Sequence, residues 1–90
     1  MGDSGISQAM MEQALRAKLQ ATHVEVTDTS GGCGQSFEAV IVSELFAGRT
    51  LLQRHRLVNE ALVSEISKIH AFSQKTFTPA QWAEKQESTP

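Results

Sequence analysis

The chain has 90 residues, of which 40% are hydrophobic and 20% are charged, and this composition is typical of one small globular domain. Its formal net charge of −2 argues against nucleic-acid binding driven by bulk electrostatics. One cysteine cannot form an internal disulfide, and no apolar run approaches the ~18 residues needed to cross a membrane.

The N-terminal segment MGDSGIS contains Asp3 and no arginine. A secretory leader needs an apolar core, and a mitochondrial leader is basic and poor in acidic residues. We therefore expect a cytoplasmic location, with the nucleus as a further compartment. Residues 1–6 are interpreted as a flexible N-terminus.

The first two predicted elements are a helix and a strand. Ser7–Gln20 consists of good helix formers, and Met11, Leu15 and Leu19 recur every four residues, which predicts an amphipathic helix. The segment HVEVTD, His23–Asp28, then alternates apolar and polar residues, which predicts a half-buried strand.

The segment SGGCGQSF, Ser30–Phe37, holds the only cysteine, Cys33, among three glycines. A second strand, FEAVIVSE, follows with Phe37, Ala39 and Ile41 on one side. Two strands joined by about eight turn-forming residues predict a hairpin with a long loop. Because a tight hairpin loop needs only two to five residues, the extra length indicates a functional role.

A long helix is predicted to begin near Leu51 and to run towards Lys68. Thr50, directly before the first turn, and Gln53, within it, match the sequence pattern of a capping box. Apolar residues at spacings of three and four predict a buried stripe made of Leu51, His55, Val58, Leu62, Ile66 and Ile69.

A third strand is predicted over His70–Phe77, and the segment TPAQW then starts a short helix. Thr78 is its predicted cap and Gln81 completes a capping box. Phe77 and Trp82 stand where a hydrophobic staple would join them.

The predicted order is helix, strand, strand, helix, strand, helix, with the domain over residues 7–84 and a flexible C-terminal tail over residues 85–90. This order predicts an α+β fold in which a three-stranded sheet carries the long helices on one face. A right-handed crossover through the long helix would make the third strand parallel to the second if these two strands pair, or parallel to the first in other arrangements.

The loop offers little support for an enzyme. The segment SGGCG lacks the lysine and the spacing of a P-loop, and it does not lead directly into a helix. No basic neighbour in the loop would activate Cys33 as a nucleophile. We therefore do not expect catalytic residues.

Cys33 is instead a candidate metal ligand, with an incidental surface thiol as the alternative, and three histidines are candidate companions. His55 lies on the apolar stripe, where a core histidine with a hydrogen bond is the better interpretation, and His23 faces the polar, solvated side of a strand. His70 lies between the long helix and the third strand, where its side chain can reach the rim of the sheet. One cysteine and one histidine supply half of a four-ligand site, so another molecule would have to complete it.

Three arginines near the start of the long helix raise a second hypothesis, since Arg49, Arg54 and Arg56 could contact phosphate groups. The alternative is a solvated helix face balanced by Glu44 and Glu60. We favour the solvated face.

Several segments together resemble the BolA family. They are FAGRTLLQRHRLVNEAL, IHAF and TPAQW, and the SGGCG loop is similar to that of the family's eukaryotic cytosolic and nuclear branch. The resemblance covers nearly the whole chain and implies an α+β fold similar to class II KH domains.

The resemblance also implies a function in iron homeostasis. BolA-like proteins pair with monothiol glutaredoxins, and the heterocomplex holds a [2Fe–2S] cluster to which glutathione, bound through the partner, also contributes. Carried over to this chain, the cluster ligands are His70, from the IHAF segment, and Cys33, from the glycine loop. Whether the free protein forms a weak homodimer is left open.

The KH-like resemblance also implies an alternative function. The protein would then be a transcriptional regulator that binds nucleic acid through Arg49, Arg54 and Arg56. The segment FAGR before the long helix is no GXXG clamp, however. The acidic balance of the chain also disfavours this alternative.

Overall fold

The computed structural model describes residues 5–87 and contains one three-stranded sheet. Its strands are β1 (His23–Asp28), β2 (Ser36–Val42) and β3 (Ala71–Phe77), in the spatial order β1-β2-β3. Strands β1 and β2 are antiparallel, whereas β3 runs parallel to β2. The predicted hairpin and the predicted parallel crossover are both confirmed.

Residues 5–87 also form four α-helices: α1 (Gln8–Leu19), α2 (Leu51–Ala61), α3 (Val63–Ile66) and α4 (Pro79–Glu87). Ser7 caps α1, since its Oγ accepts a hydrogen bond of 3.2 Å from the amide of Met10. The amphipathic stripe of α1 is buried as expected. The α+β class predicted from the element order is confirmed.

Helices α1 and α2 pack on one face of the sheet and enclose the core. Alternation in the strands directs every second side chain to this face, and the apolar groups of the helices cover them. The buried cluster includes Met11, Leu15 and Leu19 from α1, Val24 and Val26 from β1, Phe37, Ala39 and Ile41 from β2, and Val58 and Ala61 from α2.

The predicted helix from Leu51 to Lys68 is wrong in length, because the chain leaves helical geometry at Leu62. This residue has φ −109° and ψ 21°, and the short α3 follows it. The break keeps Leu62 fully buried while Ile66 and Ile69 pack against the core. Leu51 does not belong to the buried stripe, since it is 62% exposed.

The second strand is also shorter than predicted, because it ends at Val42. The hydroxyl of Ser43 is buried, donates to the carbonyl of Leu19 at 2.7 Å and accepts from the amide of Leu45 at 3.1 Å. These bonds satisfy a buried polar group and start a 3₁₀ turn over Glu44–Phe46 instead of continuing the strand.

Both predicted capping boxes are confirmed. In α2, the amide of Thr50 donates to Gln53 Oε1 at 3.0 Å and the amide of Gln53 donates to Thr50 Oγ1 at 3.2 Å. In α4, the same reciprocal pair joins Thr78 and Gln81 at 3.0 and 3.1 Å. These bonds satisfy amides that the first helical turn leaves without partners.

Helix α4 adds a contact on the opposite face of the sheet. His23, Val42 and Phe77 lie side by side in the strand register, and the Trp82 ring stacks on His23 at 4.9 Å and packs against Phe77 at 5.4 Å. Val42 is therefore 1% exposed although it points away from α1 and α2. The predicted staple is present, and His23, expected to be solvated, has a side chain that is 39% exposed and that also stacks on Trp82.

The folded domain extends beyond the predicted bounds of residues 7–84. Ile6 is 5% exposed and belongs to the core, and α4 continues to Glu87. The remaining parts of the predicted flexible termini, residues 1–4 and 88–90, lie outside the described residues. Within residues 5–87, no helix has the length and apolarity to span a membrane.

Candidate functional site

His70 lies immediately before β3, at the edge where the parallel strands β2 and β3 begin. Its side chain is exposed. Its amide donates a 2.7 Å hydrogen bond to the carbonyl of Gln35, and the amide of Ala71 donates to the same oxygen at 3.1 Å. The backbone of His70 is therefore fixed while its imidazole stays accessible.

Cys33 is exposed and lies in the connection between β1 and β2, residues 29–35. Three glycines beside it have positive φ angles: 80° at Gly31, 96° at Gly32 and 71° at Gly34. Residues with a Cβ rarely adopt this conformation, so the loop path depends on glycine. The glycines therefore shape a defined turn around the thiol.

The structure brings Cys33 and His70 to the same end of the sheet, which we call the loop end and define by residues 29–35 and His70. Cys33 is two residues from Gln35, a separation of at most about 7 Å between Cα atoms. Gln35 is bonded to His70 across neighbouring strand starts, which adds about 5 Å. The two Cα atoms are therefore within about 12 Å of each other, and both residues are exposed.

The carboxylate of Asp28, at the end of β1, organises the loop. It accepts hydrogen bonds from the hydroxyl of Ser30 at 2.6 Å, from the amide of Ser30 at 2.8 Å and from the amide of Gly34 at 3.0 Å. These bonds, with the Ser30 hydroxyl contributing most, lower the pKa of Asp28 below its ordinary value. Asp28 is therefore a charged acceptor at neutral pH.

The pair is an incomplete ligand set within this part of the chain. Residues 5–87 contain no group of three or more His, Cys, Asp or Glu side chains arranged to hold a metal ion. Thiolate and imidazole are the protein ligands found in iron–sulfur centres of the Rieske kind, in which histidines replace cysteines at one iron. The donor types are therefore among those that bind iron in such centres.

The other two histidines lie away from this pair. His23 is at the opposite end of β1, where its Nε2 lies 2.7 Å from Glu25 Oε2 and its ring stacks on Trp82. His55 is on α2 and is half-buried, short of the core position predicted for it. Neither joins Cys33 and His70.

Arg54 lies near the other end of the sheet. We call this the arginine end and define it by Arg54 and the last residues of β2 and β3. Arg54 donates to the carbonyl of Thr76 at 3.4 Å and to Gln81 Oε1 at 2.9 Å. Arg49 is exposed, and its Nε donates to the carbonyl of Leu45 at 2.9 Å. Arg56 is exposed on α2.

Arg54 therefore does not lie on a solvated helix face, because it ties α2 to β3 and α4. Two of the three guanidinium groups already donate to this chain's own oxygens, which leaves fewer donors for phosphate. Nucleic-acid binding by the three arginines stays a prediction.

Sequence reasoning missed Asp28, Ser30 and Gln35 as the residues that shape the loop. The segment DTS, residues 28–30, could have indicated this turn. In turns, an Asp side chain often accepts a hydrogen bond from the backbone amide two residues later. No sequence pattern could have indicated the role of Gln35, because its carbonyl accepts the hydrogen bond from His70 only as a result of the pairing of β2 with β3.

Comparison with known proteins agrees with the resemblance seen in the sequence. The family model described as BolA-like protein matches residues 15–81. Protein BOLA2 of Arabidopsis thaliana is 51% identical over 78 residues, which cover 86% of this chain and 84% of that protein. BolA-like protein 2 of Homo sapiens is 48% identical over 83 residues, which cover 91% of this chain and 96% of that protein.

A solved structure shares the fold. The crystal structure of a bol-like protein from Babesia bovis matches with a TM-score of 0.83 and 46% identity, covering 91% of this chain and 95% of that chain. Matched fold, matched length and high identity lead to one conclusion: this chain belongs to the BolA-like protein family.

Proposed function

We propose that this protein is an adaptor in iron–sulfur cluster assembly or trafficking. It forms a heterocomplex with a monothiol glutaredoxin and co-ligates a [2Fe–2S] cluster through His70 and Cys33. The glutaredoxin and a glutathione that it binds supply the remaining thiolates. Cytoplasm and nucleus are the proposed compartments, and iron homeostasis is the proposed process.

The observation that carries the proposal is the position of two exposed donor side chains at one end of one sheet. Cys33 and His70 are 37 positions apart in sequence, yet the Gln35–His70 hydrogen bond joins the end of the loop that carries Cys33 to the start of β3. Both side chains are exposed, so a cluster held on another protein can approach them without a change of fold.

The donor types suit transfer of a cluster rather than permanent storage. An imidazole is neutral where a thiolate is negative, so replacing a thiolate by His70 makes the cluster less negative and raises its reduction potential. An imidazole can also be protonated near neutral pH, and a protonated ring cannot bind iron. Release of a cluster is therefore easier from such a ligand.

The test is reconstitution with a monothiol glutaredoxin, glutathione, iron and sulfide, followed by visible absorption and circular dichroism. Addition of this protein should change the cluster spectrum. His70→Ala should weaken that change most, and Cys33→Ala should weaken it less. His23→Gln is the matched control, because it removes an imidazole from the arginine end, and it should leave the change intact.

Wild-type spectra from both His70→Ala and Cys33→Ala would refute the proposed ligands. A spectrum that does not respond to this protein at all would refute the heterocomplex itself. Binding of mixed oligonucleotides at physiological salt, lost in Arg56→Glu, would instead support the nucleic-acid alternative.

A further inference from the structure

The Asp28 carboxylate binds the loop on both sides of Cys33. Ser30, bonded through its amide and its hydroxyl, precedes the cysteine by three residues, and Gly34, bonded through its amide, follows it directly. The amide of Asp28 itself donates to Gln8 Oε1 at 2.8 Å, which joins this residue to the start of α1. One side chain therefore closes the turn that carries the thiol.

The same bonds continue to the backbone of His70. The Ser30 hydroxyl, which donates to Asp28, accepts from the amide of Gln35 at 3.1 Å. The carbonyl of Gln35 then accepts from the amide of His70 at 2.7 Å. A continuous series of hydrogen bonds thus runs from the Asp28 carboxylate to the residue that carries the imidazole.

We propose that Asp28 is the positioning residue of this site: its carboxylate holds the loop so that Cys33 stays beside His70 at the loop end. This inference rests on the proposed function and adds the residue that sets the geometry of the shared site. Groups that orient metal ligands without touching the metal commonly change metal affinity 10- to 100-fold when they are removed.

The sheet does not need this carboxylate for its own pairing. The β1–β2 ladder already pairs Asp28 with Phe37, and the amide of Thr29 donates to the carbonyl of Ser36 at 2.8 Å. His70 is held independently, since Ala71 pairs with Ser36. Loss of the carboxylate should therefore displace Cys33 and leave His70 in place.

The test substitution is Asp28→Asn, which keeps the shape of the side chain. The substitution replaces one carboxylate oxygen by an NH₂ group, which can only donate. That NH₂ group would then face the amide N–H of Gly34 or the N–H and O–H groups of Ser30, which are also donors. Glu38→Gln is the matched control, because Glu38 is an exposed carboxylate on β2 outside the loop. Ser30→Ala serves as a second variant that breaks the series at another point.

The first measurement is amide hydrogen exchange in the protein alone. Asp28→Asn should accelerate exchange at Gly34 at least tenfold, and Ser30→Ala should do so at Gln35. Glu38→Gln should change neither amide. Unchanged exchange at Gly34 in Asp28→Asn would overturn the proposal without reference to any cluster.

The second measurement is the cluster spectrum of the complex with a monothiol glutaredoxin. Asp28→Asn should remove the part of the cluster signal that depends on Cys33. The double variant Asp28→Asn/Cys33→Ala should therefore give the same spectrum as Asp28→Asn alone. The part of the cluster signal that depends on His70 should persist. If Asp28→Asn unfolded the protein, both parts of the signal would be lost. Faster loss of iron to a chelator, by about tenfold or more, should accompany the change.

The outcomes separate the two proposals. If Asp28→Asn accelerates exchange but leaves the Cys33-dependent signal intact, Asp28 is a structural residue only and the inference is wrong. If the wild-type spectrum depends on neither Cys33 nor His70, the proposed function is wrong, and Asp28 then positions a loop but no cluster ligand.

Discussion

At the arginine end of the sheet, side chains bind one another, whereas at the loop end the two candidate ligands face solvent. Arg54 donates to Thr76 and Gln81 and lies 6.0 Å from the centre of the Phe46 ring. Cys33 and His70, at the loop end, are both exposed, and only backbone groups of His70 are bonded. The comparison teaches that the contacts between side chains lie at one end of the sheet, whereas the end proposed for binding leaves its two candidate ligands accessible.

The largest expected effect at the arginine end comes from Phe46→Ala, because Phe46 is fully buried. Removal of a buried aromatic ring should lower the free energy of unfolding by about 3–5 kcal/mol. Urea denaturation measures the loss, with Leu45→Ala, a neighbour that is 38% exposed, as the control. Equal losses for the two variants would contradict the assignment of stability to the Phe46 contact.

Arg54→Ala should come next, since it removes hydrogen bonds that join α2 to β3 and α4. Hydrogen bonds made by charged groups contribute about 1.5–3 kcal/mol where they are well formed. Thermal unfolding should show a lower Tm, and Arg56→Ala, on an exposed part of the same helix, should shift it little. A larger shift in Arg56→Ala than in Arg54→Ala would reverse the roles given to these arginines.

A smaller loss is expected from His23→Ala, which removes the ring stacked on Trp82. Aromatic pairs of this kind contribute about 0.5–1.5 kcal/mol beyond the area that they bury. Trp82 is the only tryptophan, so its fluorescence should report the lost contact directly. An unchanged emission spectrum would show that the ring does not pack there in solution.

At the loop end, acid should release the loop before it unfolds the domain. The pKa of Asp28 is lower in the folded protein than in the unfolded chain, so its stabilising effect is complete above the ordinary aspartate pKa. The effect is lost as the pH falls through the lowered pKa. The amide signal of Gly34 in NMR spectra should titrate in this range, and Asp28→Asn should abolish that titration.

The smallest effect on stability is expected from the candidate ligands themselves. His70→Ala and Cys33→Ala change exposed side chains, so each should alter the free energy of unfolding by less than about 0.5 kcal/mol. The same variants should weaken the cluster spectrum. A loss of stability comparable to that of Arg54→Ala would mean that the loop end, too, is built for stability.

Much of the fold could be predicted because its signals are local. Alternation identified β1 with its observed bounds, His23–Asp28, and the reciprocal patterns at Thr50 and Thr78 identified the starts of α2 and α4. Capping boxes and period-two alternation depend on residues within a few positions of one another, so they can be recognised without tertiary contacts.

The break at Leu62 could not be predicted in the same way. Neither glycine nor proline marks it, and the apolar spacing continues through it. The helix is interrupted there because packing of Leu62, Ile66 and Ile69 against the core outweighs the small intrinsic preference for a continuous helix.

The amino-acid sequence by itself determined the element order, the capped helix starts, the glycine-dependent loop and the residue types available for ligation. Tertiary structure alone decided that the Cys33 loop and His70 lie at the same end of the sheet, and that the His23 ring stacks on Trp82 at the other end. The physical reason is that parallel pairing of β2 with β3 joins residues far apart in the chain. No local sequence pattern indicates that the first residues of β2 and β3 will lie next to each other in the sheet.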